Sequence, residues 1–194
     1  EEIAYLHSKG VEMNVEKAMY SINKGLWGTS VGGKETLSSK GMLPEEAWPT
    51  QVTKHENEEV KLSFEKGELR KVNGKSFGHP SEAIQYLQTI AGPYGIGRDI
   101  HVGDTIIGIK GRVGFEAAAP MVIIKAHHAL EKHVLTKWQL QWKDQLAQFY
   151  GNWLHEGQIL DPVMIDIETF LESSQRNVTG DVFVQLHPYR FHII

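Results

Sequence analysis

The sequence predicts an α+β fold, in which an antiparallel or mixed sheet containing a β-meander packs against several helices. Apolar residues alternate with polar ones near residues 60–72 and again near 181–186, which is the period of a strand. Between residues 80 and 174 they recur at helical spacing instead. With 194 residues the chain is long enough for one domain with a substantial core.

The first 57 residues contain few regular elements. Helical spacing predicts a short helix over residues 1–9, with Gly10 as its left-handed stop. Residues 11–15 alternate like a strand, and the glycine-rich segment 20–30 is typical of a loop. Residues 31–57 are polar and irregular, so we expect a long loop that acts as a lid, an interface or a mobile arm.

The middle of the chain begins with the meander. Alternation over residues 60–64 and 68–72 predicts two strands, and Asn73-Gly74 is a strong type I′ hairpin signal. A helix is expected from Pro80, with Gly92 as its end.

A junction between strand and helix follows. Residues 106–109 are nearly all isoleucine and predict a buried strand, and residues 111–116 predict a turn. Helical patterns over residues 120–134 and 137–154 then predict a long helical hairpin. Its second helix is rich in aromatic residues, namely Trp138, Trp142, Phe149, Tyr150 and Trp153.

The end of the chain predicts one more helix and two strands. Asp161-Pro162 is an N-cap and first-turn pair for a helix that runs to about Ser174. Residues 181–186 alternate as a strand, and a final strand lies within residues 188–194.

The composition excludes several classes of protein. Twenty Lys and Arg against 24 Asp and Glu give a net charge of −4, so neither nucleic acid nor an anionic membrane surface is an expected partner. The chain has no cysteine, which excludes disulfides and thiolate chemistry. Without an apolar segment of about 18 residues, we expect a soluble, cytoplasmic protein. Because a helical pattern is already under way at Glu1, we also expect a piece of a longer protein.

Common ligand motifs do not occur. There is no GxxxxGK[ST] or SGG-type phosphate loop, and the glycines from Gly92 to Gly97 have the wrong spacing for GxGxxG. The ten histidines include no HExxH motif, so no metal site is predicted. His127 shares an apolar helical stripe and is interpreted as a hydrogen-bonded core or interface residue. Asn177 is interpreted as part of a turn.

Two segments could bind a small ligand. Ser21 and Ser30 are nine residues apart around a glycine-rich turn, and hydroxyl groups can donate and accept hydrogen bonds to an amino-acid carboxylate or amide. Ordinary turn chemistry is the alternative explanation. Lys110, Arg112 and Glu116 place two cations and a carboxylate between strand and helix, with a solvated ion-paired turn as the alternative.

At these residues the sequence resembles the argininosuccinate synthase family, in its C-terminal half. The segment YSINKGLWGTS is similar to the family's YS-I-D-x-N-L-W-G-x-S, and GIKGRVGFEAAAP is similar to its KSRG-[IV]-YE-x-P turn. HVLTKWQLQWKDQLAQFYGNWLHEGQILDPV and NVTGDVFVQLHPYRF resemble later parts of the family in the same order. The resemblance extends over essentially all 194 residues and is weakest over residues 31–57.

The resemblance implies an activity. The family joins citrulline to aspartate with ATP, releasing AMP and pyrophosphate, in arginine biosynthesis and the urea cycle. ATP, with Mg²⁺, is bound mainly by an N-terminal domain that this chain lacks. The implied architecture is a single synthetase and multimerisation domain over residues 1–194, divided into a linker helix and citrulline loop (1–30), a long loop (31–57) and a core (58–194). The implied assembly is a homotetramer.

The resemblance also implies site residues. The family's two citrulline-binding serines correspond to Ser21 and Ser30, and its citrulline-contacting tyrosine corresponds to Phe115, which lacks the hydroxyl group. The family's partner glutamate falls on Gly103, so we hypothesise that the adjacent Asp104 supplies the carboxylate. No catalytic residue and no metal ligand are implied in this half.

The sequence departs from the family motif between the two serines. Asn23 replaces the usual aspartate and Gly25 the usual asparagine. Two other interpretations stay open from the residues alone. One is a non-catalytic oligomerisation module that uses the helix from Trp138 to Trp153, and the other is a free-standing amino-acid binder.

Overall fold

The computed structural model describes residues 2–11, 19–104 and 107–194. Within these ranges the α+β prediction is confirmed. The helices are α1 (Glu2–Ser8), α2 (Pro80–Ala91), α3 (Ala118–Val134), α4 (Lys137–His155) and α5 (Pro162–Gln175). The strands are β1 (Ser21–Gly25), β2 (Gly28–Gly32), β3 (Glu58–Glu65), β4 (Glu68–Val72), β5 (Lys75–Ser76), β6 (Arg98–Asp104), β7 (Lys110–Glu116), β8 (Gly180–His187) and β9 (Arg190–Ile193).

Five of these strands form an antiparallel sheet in the order β5-β4-β3-β8-β9. The predicted meander is confirmed: β3, β4 and β5 are consecutive neighbours. Asn73 and Gly74 both have positive φ, 52° and 79°, as the predicted type I′ turn requires. The alternating apolar residues of β3 and β8 point into the main core.

Helices α2 and α3 cover this sheet. Their inward positions are small or aliphatic, so the two helices can approach the strands and each other closely. α2 begins at Pro80 as predicted, whereas α3 begins at Ala118, two residues before the predicted start at Pro120. The inward residues of the two helices are Ala83, Leu87, Ala91, Val122, Ala126 and Leu130.

The predicted helices α4 and α5 are present, but a hairpin of α4 with α3 is not confirmed. α4 packs against α5 instead, where the Tyr150 hydroxyl group donates to the Glu168 carboxylate. Thr136 caps α4 and Asp161 caps α5 through side-chain acceptors, which explains why both helices begin where the sequence indicates. No residue of α4 is fully buried.

The other four strands form a second antiparallel sheet, in the order β1-β2-β7-β6. The sequence predictions for this sheet were largely wrong. Residues 20–30, expected to be a loop, contain the hairpin of β1 and β2, and residues 111–116, expected to be a turn, lie in β7. These strands are rich in glycine and polar residues, which hides the strand period.

The predicted buried strand at 106–109 was also wrong. Ile107 and Ile109 are 79% and 61% exposed and belong to the connection between β6 and β7, while Ile106 is outside the described residues. The apolar composition of this segment suggests burial, but the strand that pairs with β7 is the preceding Arg98–Asp104.

The N-terminal predictions are partly confirmed. Helix α1 is present, and Gly10 follows it with φ of 74°. The strand predicted over 11–15 lies outside the described residues after Val11. The long segment 31–57 is irregular after β2 ends at Gly32, apart from short 3-10 helices at Lys34–Leu37 and Glu45–Ala47.

This irregular segment, here called loop 33–57, packs on one face of the four-stranded sheet. Leu43, Ala47 and Trp48 form a small core with Val31 of β2. Gly114 of β7 lies so close beneath it that an added Cβ would be 2.1 Å from Leu43 Cδ1. The loop is therefore held against the sheet by buried apolar contacts.

Candidate functional site

The four-stranded sheet has one covered face and one open face. On the covered face, the Arg98 guanidinium lies 5.2 Å from the Trp48 ring centre, within loop 33–57. On the open face, the Phe115 ring packs 5.4 Å from the His101 ring. Since side chains alternate along a strand, the register assigns each residue of the sheet to one face.

Ser30 and Phe115 are adjacent on the open face. The register of β2 and β7 puts them directly opposite each other. Ser21 pairs with Gly32 on the same face, one diagonal step from Ser30, so the two serines are roughly 7–8 Å apart. The strand pairing thus brings together three of the four predicted residues.

Both hydroxyl groups are available to a ligand. Ser21 is exposed and Ser30 is half-buried. In the described part of the chain, neither side chain has a hydrogen-bond partner. Asn23 is opposite Ser30 in β1, so the departure from the family's aspartate puts a neutral amide beside the hydroxyl group.

A glycine determines the position of Phe115. An added Cβ on Gly28 would be 2.4 Å from Phe115 Cζ, and Gly28 has φ of 149°, which other residues rarely adopt. The ring therefore lies on the backbone of the β1-β2 hairpin, next to Ser30. The sequence contained only an indirect signal of this contact, the glycine of the LWG motif.

Asp104 is not brought to this group. It lies at the far end of β6, about 17 Å along the strand from the residue opposite Phe115. The register puts it on the covered face, where it forms an exposed ion pair with Lys110 at 2.7 Å. Gly103 lies on the open face but contributes no side chain.

Sequence reasoning missed two residues of the open face. Asp99 pairs with Phe115 across β6 and β7, and His101 follows it on the same face. Their residue types alone do not predict a position near Ser30, because this proximity depends on the pairing of β2 with β7 and of β7 with β6. Knowledge of that strand order is the signal that could have identified them.

The second predicted cluster is structural. Arg112 donates to three backbone carbonyls of loop 33–57, those of Glu35, Ser38 and Gly41, at 2.6–2.9 Å. Glu116 is buried, accepts a 2.6 Å hydrogen bond from Thr50 Oγ1, and lies 3.7 Å from Arg98 Nε. These charges hold the loop on the covered face, facing away from Ser30.

His127, interpreted as a hydrogen-bonded core or interface residue, is hydrogen-bonded and half-buried. Its Nε2 lies 2.9 Å from Gln175 Oε1, which requires a proton on Nε2, and its ring packs against Phe64. Desolvation by burial lowers the pKa of His127, against an opposing attraction from Glu131. Over the residues described, no three His, Asp or Glu side chains group as a metal site would require.

The search for membrane segments gave a negative result. Of the helices in the described ranges, none combines the length and the hydropathy that a bilayer crossing requires.

Comparison with known proteins identifies the family. The profile of the arginosuccinate synthase C-terminal domain matches residues 20–194. The chain is 36% identical over 189 residues to argininosuccinate synthase of Methanocaldococcus jannaschii, with 96% of this chain and 48% of the relative covered. It is 37% identical over 204 residues to that of Dictyoglomus turgidum, with 100% and 49% covered, and 35% identical over 192 residues to that of Xylella fastidiosa, with 95% and 46% covered.

These matches agree with the resemblance found in the sequence motifs. The chain spans about half the length of the curated relatives it matches. With its matched region extending from residue 20 to the last residue described, the chain belongs to the arginosuccinate synthase C-terminal domain family.

Proposed function

We propose that this chain is the citrulline-binding half of an ATP-dependent argininosuccinate synthase of arginine biosynthesis and the urea cycle. The observation that carries the proposal is the position of Ser30 beside Phe115 on an open sheet face, with Ser21 one diagonal step away. Membership of the family supports the same proposal. The motif resemblance implies that Ser21 and Ser30 correspond to the family's citrulline-binding serines.

In the proposed reaction, the ureido oxygen of citrulline attacks the α-phosphorus of ATP and pyrophosphate leaves. The aspartate amine then attacks the ureido carbon, AMP leaves, and argininosuccinate is formed after loss of a proton. ATP and its Mg²⁺ are bound by the part of the protein outside this chain. Ser21 and Ser30 hydrogen bond to polar groups of citrulline, and the Phe115 ring supports its methylene groups.

The contribution of this half is positioning. The ureido oxygen attacks with its own lone pair, and the ammonium group of aspartate must lose a proton before its nitrogen can attack; no residue of the open face is assigned to accept that proton. Alignment of bound reactants can contribute about 7–11 kcal/mol to lowering a barrier. Asp104 is left out of the proposed site, since its register position and its ion pair with Lys110 keep it on the other face.

Assembly and location belong to the same proposal. The protein acts in the cytoplasm as a homo-oligomer, in keeping with the family's tetramer. The exposed aromatic side chains of α4, Trp138, Trp142 and Phe149, supply apolar surface for subunit contacts.

The test is pyrophosphate release by the full-length protein with ATP, citrulline and aspartate. We expect release that requires all three substrates. Ser21→Ala and Ser30→Ala should each weaken citrulline binding by about 1–3 kcal/mol, the cost of an unpaired buried polar group on the ligand, with ATP binding unchanged. Ser76→Ala, an exposed serine of the other sheet, is the matched control.

Two outcomes would count against the proposal. One is release that does not depend on citrulline. The other is a loss of ATP affinity, in both serine variants, that is as large as their loss of citrulline affinity.

A second function, a non-catalytic oligomerisation module, is favoured by α4. This helix of 19 residues has no fully buried residue and exposes two tryptophans by more than half. A protein that assembles but releases no pyrophosphate under any combination of substrates would support this alternative.

A further inference from the structure

The strands of the four-stranded sheet contribute one carboxylate to its open face. The acidic residues of β1, β2, β6 and β7 are Asp99, Asp104 and Glu116. Register puts Asp104 and Glu116 on the covered face and Asp99 on the open face. Asp99 is therefore the single carboxylate that these strands contribute to the face that carries Ser21, Ser30 and Phe115.

Of these three carboxylates, Asp99 alone has no ion pair with a residue that the structure describes. Asp104 is ion-paired with Lys110, and Glu116 is ion-paired with Arg98 and accepts a hydrogen bond from Thr50. In the part of the chain that the structure describes, Asp99 has one hydrogen bond, in which its Oδ1 accepts from the backbone N–H of Ile100 at 2.7 Å. The side chain is exposed, so its other oxygen can accept from a ligand.

The spacing suits an extended amino acid. Phe115 pairs with Ser30 on one side and with Asp99 on the other. Ser30 and Asp99 are thus two strand spacings apart, about 10 Å, with an aromatic ring between them. A ligand whose middle is apolar methylene and whose ends are polar fits this order of hydroxyl, ring and carboxylate.

We propose that Asp99 binds the α-ammonium group of citrulline, with the methylene chain across Phe115 and another polar group of the ligand at Ser30. This inference rests on the proposed function. An ammonium group is a cation with three donors, and a carboxylate is its natural partner, since a charge-assisted hydrogen bond is stronger than a neutral one. Gly103, four residues further along the same face of β6, contributes no side chain, so Asp99 is the carboxylate of β6 that lies opposite Phe115.

The experiment compares citrulline with 5-ureidopentanoate, which lacks only the α-ammonium group. The readout is kcat/KM for pyrophosphate release by the full-length protein at saturating ATP and aspartate. The unsubstituted protein should prefer citrulline by about tenfold or more. Asp99→Asn should lower kcat/KM for citrulline about tenfold and leave that for 5-ureidopentanoate nearly unchanged, so the preference disappears.

Asp104→Asn is the matched control, because it removes a carboxylate from the same strand on the other face. It should keep the preference for citrulline. Asp99→Glu, which retains the charge, should restore part of the preference. If Asp99→Asn does not fold, as judged by thermal unfolding, Asp99→Ser provides the same comparison.

The outcomes separate this inference from the function on which it rests. If the unsubstituted protein uses citrulline but Asp99→Asn keeps its preference over 5-ureidopentanoate, Asp99 does not bind the ammonium group and only this inference is overturned. Equal losses for both substrates would assign Asp99 a merely structural role and would overturn it too. A protein that releases no pyrophosphate with citrulline overturns the proposed function as well.

Discussion

Nζ of Lys143 on α4 donates a 2.6 Å hydrogen bond to Oε2 of Glu131 on α3, and the Glu131 side chain is completely buried. The other carboxylate oxygen, Oε1, accepts from Gln175 Nε2 at 2.8 Å, so the last residue of α5 joins the same network. Burial opposes the charge of Lys143, but hydrogen bonds to Glu131 and Asp144 outweigh it and raise the pKa of Lys143. A single buried carboxylate thus ties three helices together.

Removing Lys143 should therefore destabilise the fold strongly. We expect Lys143→Met to lower the free energy of unfolding by about 3–5 kcal/mol, because it leaves Glu131 charged, buried and without its cation. Urea denaturation of the full-length protein measures this. Lys132→Met, at an exposed lysine of α3, is the control and should change stability little. The double variant Glu131→Leu with Lys143→Met should recover part of the loss; a double variant as unstable as the single one would argue against an unpaired charge.

His127 should make stability depend on pH. Its pKa is lowered in the folded protein from the ordinary 6.5, chiefly by burial. Below pH 6.5 the unfolded chain then binds more protons at this residue than the folded chain does, so stability falls as the pH falls. Denaturant midpoints between pH 7.5 and 5 should drop less for His127→Gln than for the unsubstituted protein. Parallel pH profiles for the two proteins would show that His127 is not responsible.

Gly28 should control the position of Phe115. In Gly28→Ala the new methyl group would meet the ring at 2.4 Å, and the positive φ adds on the order of 1–3 kcal/mol of strain. We expect lower thermal stability together with a higher KM for citrulline, because Phe115 must leave its place beside Ser30. Gly151→Ala on α4 is the control, since among the described residues an added Cβ there has no neighbour within 4 Å, and α4 is not part of the four-stranded sheet. A Gly28→Ala protein with an unaltered KM would separate Phe115 from the citrulline site.

Local sequence signals predicted the strands of the five-stranded sheet and the helices. They did not predict the four-stranded sheet. Asn73-Gly74 and Asp161-Pro162 mark a turn and a cap whose chemistry depends on a few neighbouring residues, and the structure has the predicted element at each. In contrast, β2 pairs with β7 across more than 80 residues of sequence. Such a distant pairing leaves no local pattern, particularly in strands as rich in glycine as GTSVG and KGRVGFE.

The candidate site follows the same division. Ser21, Ser30 and Phe115 could be selected in the sequence because family motifs surround them. Asp99 could not, because it becomes a neighbour of Phe115 only through the register of β6 with β7. Asp104 is adjacent to Gly103 in sequence, but successive residues of a strand point to opposite faces, so this adjacency does not predict a shared site.

Arg112 should hold loop 33–57 against the sheet. Arg112→Met removes the donors for three carbonyls, so we expect a loss of about 1.5–3 kcal/mol in stability and faster cleavage by trypsin after Lys34 and Lys40. Mass spectrometry of timed digests identifies the cut sites. Arg190→Met, at an exposed arginine of β9, is the control. It should leave the stability and the rates of cleavage after Lys34 and Lys40 unchanged. Equal digestion of the two variants would mean that the apolar contacts of Leu43 and Trp48 suffice to hold the loop.

The exposed aromatic side chains of α4 should be covered in the assembled protein. Trp138 and Trp142 are 63% and 57% exposed, and Phe149 lies further along the same helix. Leaving such large apolar groups in water is unfavourable, by about 25 cal/mol for each Å² that a partner could cover. Because α4 packs against α5 near Tyr150 and still exposes these side chains, a second copy of the chain is the proposed cover.

Trp142→Glu tests this directly, because a carboxylate in an apolar contact would have to lose its hydration. Light scattering at several concentrations should give a smaller mass for this variant than for the unsubstituted full-length protein. Leu37→Glu introduces the same charge at an 88% exposed leucine of loop 33–57 and should not change the mass. If Trp142→Glu assembles like the unsubstituted protein, α4 is not the subunit contact, and its aromatic surface must be covered by the remaining part of the full-length chain or stay in water.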